Sequence, residues 1–86
     1  MDYYEIIKYP ISTEKVVRLM ESDNKLVFIV ERKAKKQEIK KAIEDHLKIK
    51  ITNVNTEITS KGLKKAYVTI SKETPAIDVA TNLGLM

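Results

Sequence analysis

Histidine and cysteine, the readiest catalytic side chains, are scarce in this chain, and the remaining candidates stand at spacings that defeat them. Glu44 and Asp45 are neighbours on a helical stretch. Their carboxylates therefore project about 100° apart and cannot share a proton or a metal ion. The one histidine, His46, falls among Ile39, Ile43 and Leu47 on the apolar side of that stretch. This position implies a structural histidine, partly buried and hydrogen-bonded. No cysteine is present, which removes disulfides and thiolate metal sites. Glycine occurs only at Gly62 and Gly84, which leaves no phosphate-cradling loop, and the hydroxyls have no base at a useful spacing. The sequence argues against an enzyme and implies neither cofactor nor metal.

What remains is positive charge. Between residues 32 and 50 stand eight basic side chains (Arg32, Lys33, Lys35, Lys36, Lys40, Lys41, Lys48 and Lys50) and three acidic ones (Glu38, Glu44 and Asp45). That is a local excess of +5, so the total of +4 leaves −1 for the rest of the chain. A second cluster, Lys61, Lys64 and Lys65, lies further on. Two basic clusters on separate elements can form one surface for a polyanion. Lysine-dominated contact recognises phosphate position and helix shape rather than base sequence. Charge alone leaves RNA, DNA and a merely solvated helix face all open.

The elements that must position these lysines follow from hydrophobic phase. Residues 4–7 predict a short edge strand closed by Pro10. Ser12 or Thr13 then caps a helix carrying Val16, Val17, Leu19 and Met20, and Ser22-Asp23-Asn24 ends it with turn chemistry. Residues 25–31 form a strand whose unbroken β-branched and aromatic centre implies burial on both faces. A helix over 35–47 buries Ile39, Ala42, Ile43 and Leu47 and puts Lys33, Lys36, Lys40, Lys41 and Lys48 on its flank and back.

The next strand, 49–59, changes phase: Ile49 and Ile51 share one parity, Val54 and Ile58 the other. That demands a bulge near Thr52-Asn53. A short hairpin loop over 60–63 returns the chain into a strand with Ala66, Val68 and Ile70 on one side. Thr74 caps a last helix with Pro75 as its first residue and Gly84 as its stop. The expected fold is α+β, in the order β-α-β-α-β-β-α, an antiparallel sheet with helices packed on its faces. One domain over 1–86 is expected, because a chain this short buries only about 60–65% of its unfolded surface around one core. The opening residues lack the layout of a signal peptide, and the longest apolar run, 26–30, is too short for a bilayer. The expectation is a soluble protein of the cytoplasm.

The strand over 64–70 resembles in part the aromatic strand of an RNA recognition motif, but only Tyr67 is placed to stack a base. Tyr67 packs beneath a helix or lies on the open sheet, and stacking-based reading of single strands is not expected.

Four segments together are similar to the universal large-subunit ribosomal protein L-twenty-three family in its archaeal form. They are Tyr9-Pro10-Ile11-Ser12-Thr13-Glu14-Lys15, the basic helix followed by Val54-Asn55-Thr56, Lys64-Lys65-Ala66-Tyr67-Val68-Thr69-Ile70, and Ala76-Ile77-Asp78-Val79-Ala80 with Leu83-Gly84-Leu85. The resemblance covers the chain in order. It implies a structural constituent of the large subunit that binds ribosomal RNA near the polypeptide exit tunnel. It also implies a neighbour, ribosomal protein L-twenty-nine, and transient visits by signal recognition particle and nascent-chain-associated complex. By position, Glu14 matches the exposed glutamate that helps dock such factors in bacterial relatives; an acid in a first helical turn also favours the helix dipole.

Two departures stand out. Ile70 takes the place of the signature's leucine, and the 60–63 loop is far shorter than the bacterial extension into the tunnel. The long basic N-terminal extension of eukaryotic forms is not expected either. The implied RNA-binding residues are Arg32, Lys33, Lys35, Lys36, Lys40, Asn55, Thr56, Lys61, Lys64, Lys65 and Tyr67. A free-standing RNA-binding regulator and an adaptor that binds only protein are the competing readings.

Overall fold

The computed structural model describes residues 3–84, so Met1 and Asp2 of the opening segment and Leu85 of the closing motif lie outside the described residues. The elements are α1 (Tyr3–Ile6), β1 (Ile7–Pro10), α2 (Glu14–Asp23), β2 (Lys25–Val30), α3 (Lys36–Leu47), β3 (Ile51–Ile58), β4 (Lys64–Ile70) and α4 (Ala76–Asn82). The fold is α+β, and its four strands form an antiparallel sheet in the order β1-β2-β4-β3.

Each strand of this sheet is explained by what it buries. Leu26 to Val30 of β2 are all buried, both alternations together, so this central strand is covered on both faces. On one face Leu26, Phe28 and Val30 align with Val68, Ala66 and Lys64 of β4. Beneath them, Val54 of β3 and Ile39 and Ile43 of α3 complete the main core. The other face of β2 carries Val27 and Ile29, both buried, and α2 packs against β2 and against α4. The twist between parities expected in β3 is real: its register with β4 shifts between Ile51 and Asn53. Without that bulge Ile51 and Val54 could not both be buried.

Helix ends follow local chemistry where the sequence signalled it. Thr13 is the N-cap of α2, its Oγ1 accepting from the Val16 N–H at 3.3 Å. Asn24 closes that helix in the left-handed region, φ 55°. Gly62 turns the hairpin at φ +81°, and Gly84 follows α4 at φ +79°.

Four expectations are corrected. Residues 3–6 form a turn of helix rather than an edge strand, and the strand begins only at Ile7. The cause is tertiary: Tyr3 packs on α3, and the Ile6 carbonyl accepts from the Glu31 N–H at 2.7 Å. His46 is exposed rather than half-buried, because it sits in the last turn of α3, where Tyr3 rather than the core covers it. The strand expected from residue 49 starts at Ile51, since α3 ends through a left-handed Lys48.

Finally, Pro75, not Thr74, occupies the cap position of α4, and no local side chain caps that helix. Its first N–H, on Ala76, is met instead by Asn24 Oδ1 at 2.6 Å, fifty-two residues away in sequence. The Asn24 amide also donates to the carbonyls of Ile70, Ser71 and Thr74 at 3.0, 3.2 and 3.0 Å. One asparagine thus ends α2, starts β2 and holds the beginning of α4.

Candidate nucleic-acid interface

The two basic clusters meet at one end of the sheet. Arg32, Lys33 and Lys35 lie on the turn leaving β2, while Lys61 sits in the hairpin that leads into Lys64 and Lys65 of β4. The register pairs Val30 with Lys64 and Ile29 with Lys65, which sets that turn beside that hairpin. Lys64 joins them physically: its side chain is on the core side of β4, and its ammonium donates to the carbonyls of Ala34 and Arg32. Lys65 points the opposite way.

Arg32, Lys33, Lys35, Lys36, Lys40 and Lys61 are exposed, and Lys65 is half-buried. Among the described residues none of these seven forms an ion pair. The turn is braced by bonds of its own. The Lys35 N–H donates to Glu38 Oε1 at 3.1 Å, and Lys8 pairs with Glu31 at 3.4 Å. That ammonium, together with the Lys33 N–H, holds the Glu31 carboxyl below the ordinary carboxylate range. The local acids are therefore occupied with the backbone and with Lys8, leaving the exposed cations unneutralised.

Lys36 and Lys40 continue the surface along the flank of α3. Glu44, on that same flank, accepts the Ile51 N–H at 3.1 Å, so the flank borders β3. Asn55 and Thr56, adjacent in β3, part company. Asn55 is exposed and opposite Tyr67 on the open face, whereas Thr56 is opposite Ala66 on the core side and half-buried. Tyr67 lies on the sheet, its hydroxyl donating to Glu57 at 2.9 Å. Burial first, then the Glu57 carboxylate, hold that phenol above its ordinary pKa, so it remains a neutral donor. The open face over β3 and β4 thus offers Asn53, Asn55, Lys65, Tyr67 and Thr69.

Sequence reasoning treated Lys64 as equivalent to Lys65. Strand alternation could have separated them, since Lys64 shares parity with Ala66, Val68 and Ile70. Lys64→Met should cost about 1–2 kcal/mol by leaving two carbonyls without their charged donor. Lys65→Met should cost under about 0.5 kcal/mol, as an ordinary surface change does. Urea denaturation of both variants measures the difference.

The chain that folds in this way matches known proteins at the level of sequence. The model of the family described as ribosomal protein L23 matches residues 5–65. The large ribosomal subunit protein uL23 of Methanococcus maripaludis strain C7 is 47% identical over 85 residues, covering 99% of each chain. That of Methanococcus vannielii is 48% identical over the same length and coverage. The chain belongs to the ribosomal protein L23 family. Its close relatives here are archaeal, as the resemblance implied. Family members are structural components and not enzymes, in keeping with the absence of workable catalytic spacing in the sequence.

Glu14 opens α2, in the helix pair that includes α4 rather than α3. It is exposed and pairs with Arg18 one turn on, at 3.1 Å. Its carboxylate is thus available to solvent and to a visitor, at the expense of a weak surface ion pair.

Proposed function

We propose that this protein is a structural constituent of the large ribosomal subunit that binds ribosomal RNA beside the polypeptide exit tunnel. The observation that carries the reading is the convergence of two basic clusters, distant in sequence, on one end of the sheet, their exposed cations forming no ion pair among the described residues. Arg32, Lys33, Lys35, Lys36, Lys40, Lys61 and Lys65 neutralise phosphates. Asn55 and Tyr67 add hydrogen bonds to backbone or 2′-hydroxyls from the open face of β3 and β4, a face that Thr56, on the core side, does not share. Lys64 contributes through the turn it holds and through its own charge. Exposure of the cations, half-burial of Tyr67 and a shape-reading surface suit structured RNA better than stacked single strands.

Salt dependence tests the RNA contact. If roughly six phosphates are neutralised, log K should fall by about four to five for each tenfold rise in salt. A flat response in filter binding to the cognate large-subunit RNA fragment would overturn the assignment. Sedimentation separates it from a free-standing regulator: the ribosomal protein stays with large subunits in high salt, and the regulator does not.

On the assembled subunit the protein neighbours ribosomal protein L-twenty-nine, and Glu14 receives signal recognition particle and nascent-chain-associated complex. Glu14→Arg in reconstituted subunits should weaken co-sedimentation of purified signal recognition particle several-fold while leaving subunit assembly intact. Undiminished co-sedimentation would remove Glu14 from the docking site.

A further inference from the structure

The flank of α3 turned toward α1 carries a chemistry unlike that of the basic flank. Tyr3 stacks on His46 with centroids 3.8 Å apart and planes 10° from parallel. Tyr4 meets His46 edge-on at 5.3 Å and 78°, and Tyr3 at 5.3 Å and 87°. The three rings hold one another, yet Tyr4 remains 76% exposed. They border a notch of about 640 Å³ whose charged lining is Asp45, Glu38 and Lys41. Among the described residues the Asp45 carboxylate has neither a hydrogen bond nor an ion pair, and it does not pair with Lys41 one turn away.

We propose that this notch receives an arginine or lysine side chain from a basic segment of a partner protein. Ring faces carry negative charge density and attract a cation held over them. Tyr4 supplies such a face, braced edge-on against Tyr3 and His46, and Asp45 supplies a carboxylate at the rim beside Glu38, whose Oε1 already accepts from the Lys35 N–H. A guanidinium is planar and weakly hydrated, so it can lie on a ring while donating to a carboxylate. A phosphate in the same place would meet two carboxylates and a ring face, all repulsive. Lys41 is the one opposing charge. This inference uses the flank of α3 away from the RNA surface and does not depend on the RNA reading.

The test titrates the full chain, followed by NMR, with a short capped peptide of alternating arginine and glycine, and separately with a short single-stranded RNA. The expected result is saturable shifts of the Tyr4 and His46 ring signals with the peptide. Diffuse attraction is disfavoured, because the protein itself carries +4. Tyr4→Ala should weaken the peptide about three- to tenfold, the range of a single cation–ring contact. Asp45→Lys should weaken it roughly tenfold or more, and Lys41→Glu should tighten it. Glu73→Lys, an exposed acid remote from the notch, should leave it unchanged. These positions are exposed, and amide spectra confirm that each variant remains folded. Absence of saturable ring shifts, or equal losses for Asp45→Lys and Glu73→Lys, would overturn the proposal. So would RNA moving the rings with the opposite charge dependence, weakened by Lys41→Glu and strengthened by Asp45→Lys.

Discussion

Asn24→Ala should destabilise the protein by about 3 kcal/mol, more than the loss of any exposed lysine, because one side chain does three separable jobs. Its amide shares two hydrogens among the carbonyls of Ile70, Ser71 and Thr74, and its Oδ1 caps Ala76. Each such bond is worth about 1 kcal/mol net, and more where the abandoned partner stays buried. The residue also sits at φ 55°, where asparagine is tolerated and alanine is penalised by about 1 kcal/mol. Asn24→Gly separates these terms, because it keeps the backbone geometry and loses only the bonds; it should cost about 2 kcal/mol. With a melting shift of roughly 4–8 °C per kcal/mol for a domain of this size, Asn24→Ala should lower Tm by about 15 °C. Two variants equal in cost would mean that the left-handed backbone contributes nothing. A cost near 0.5 kcal/mol would reduce Asn24 to an ordinary surface residue.

That hub also marks the limit of what the sequence reveals. Local signals were sufficient for most elements: Thr13 as cap, the apolar phase of α3, the change of parity in β3 and Gly62 in the hairpin each have a cause within a few residues. Asn24 was legible as the end of a helix for the same reason. Its bonds to residues 70–76 were not, since nothing in a single chain of letters pairs it with a segment more than forty residues away. The corrected N-terminus has the same origin. Residues 4–7 read as a strand by composition; Ile7 does belong to one, but residues 4–6 become helical because Tyr3 and Ile6 find partners on α3 and at Glu31.

The candidate surface divides along similar lines. Charge counting found both basic clusters, but only strand register could show that they share one end of the sheet. The direction of Lys64 was implicit in β alternation; the carbonyls that it reaches were not. His46 was misplaced because a helical wheel assigns a face without saying how far the sheet beneath it extends. Its aromatic partners come from a segment whose conformation was itself misread.

Two triple variants of equal net charge should differ sharply in RNA binding. Arg32→Gln, Lys61→Gln and Lys65→Gln together should weaken binding to the cognate RNA fragment by roughly a hundred- to a thousandfold near physiological salt. The salt slope should fall by about two to three, since each lost phosphate contact removes 0.7–0.9. Lys15→Gln, Lys25→Gln and Lys72→Gln together remove the same three charges from α2, the far end of β2 and the loop before α4. Both triple variants go from +4 to +1, so any long-range attraction weakens alike in each. Only the first removes cations from the end of the sheet where the β2 turn and the hairpin meet. Stability should not confuse the reading, because Arg32 and Lys61 are exposed, and Lys65 has no ion pair to lose: Glu57, its register partner, already accepts from Tyr67. Equal losses from the two triples would mean that net charge alone draws the RNA and that the convergence of the clusters is incidental. A loss confined to the first would tie affinity to the place on the fold that strand pairing, rather than composition, creates.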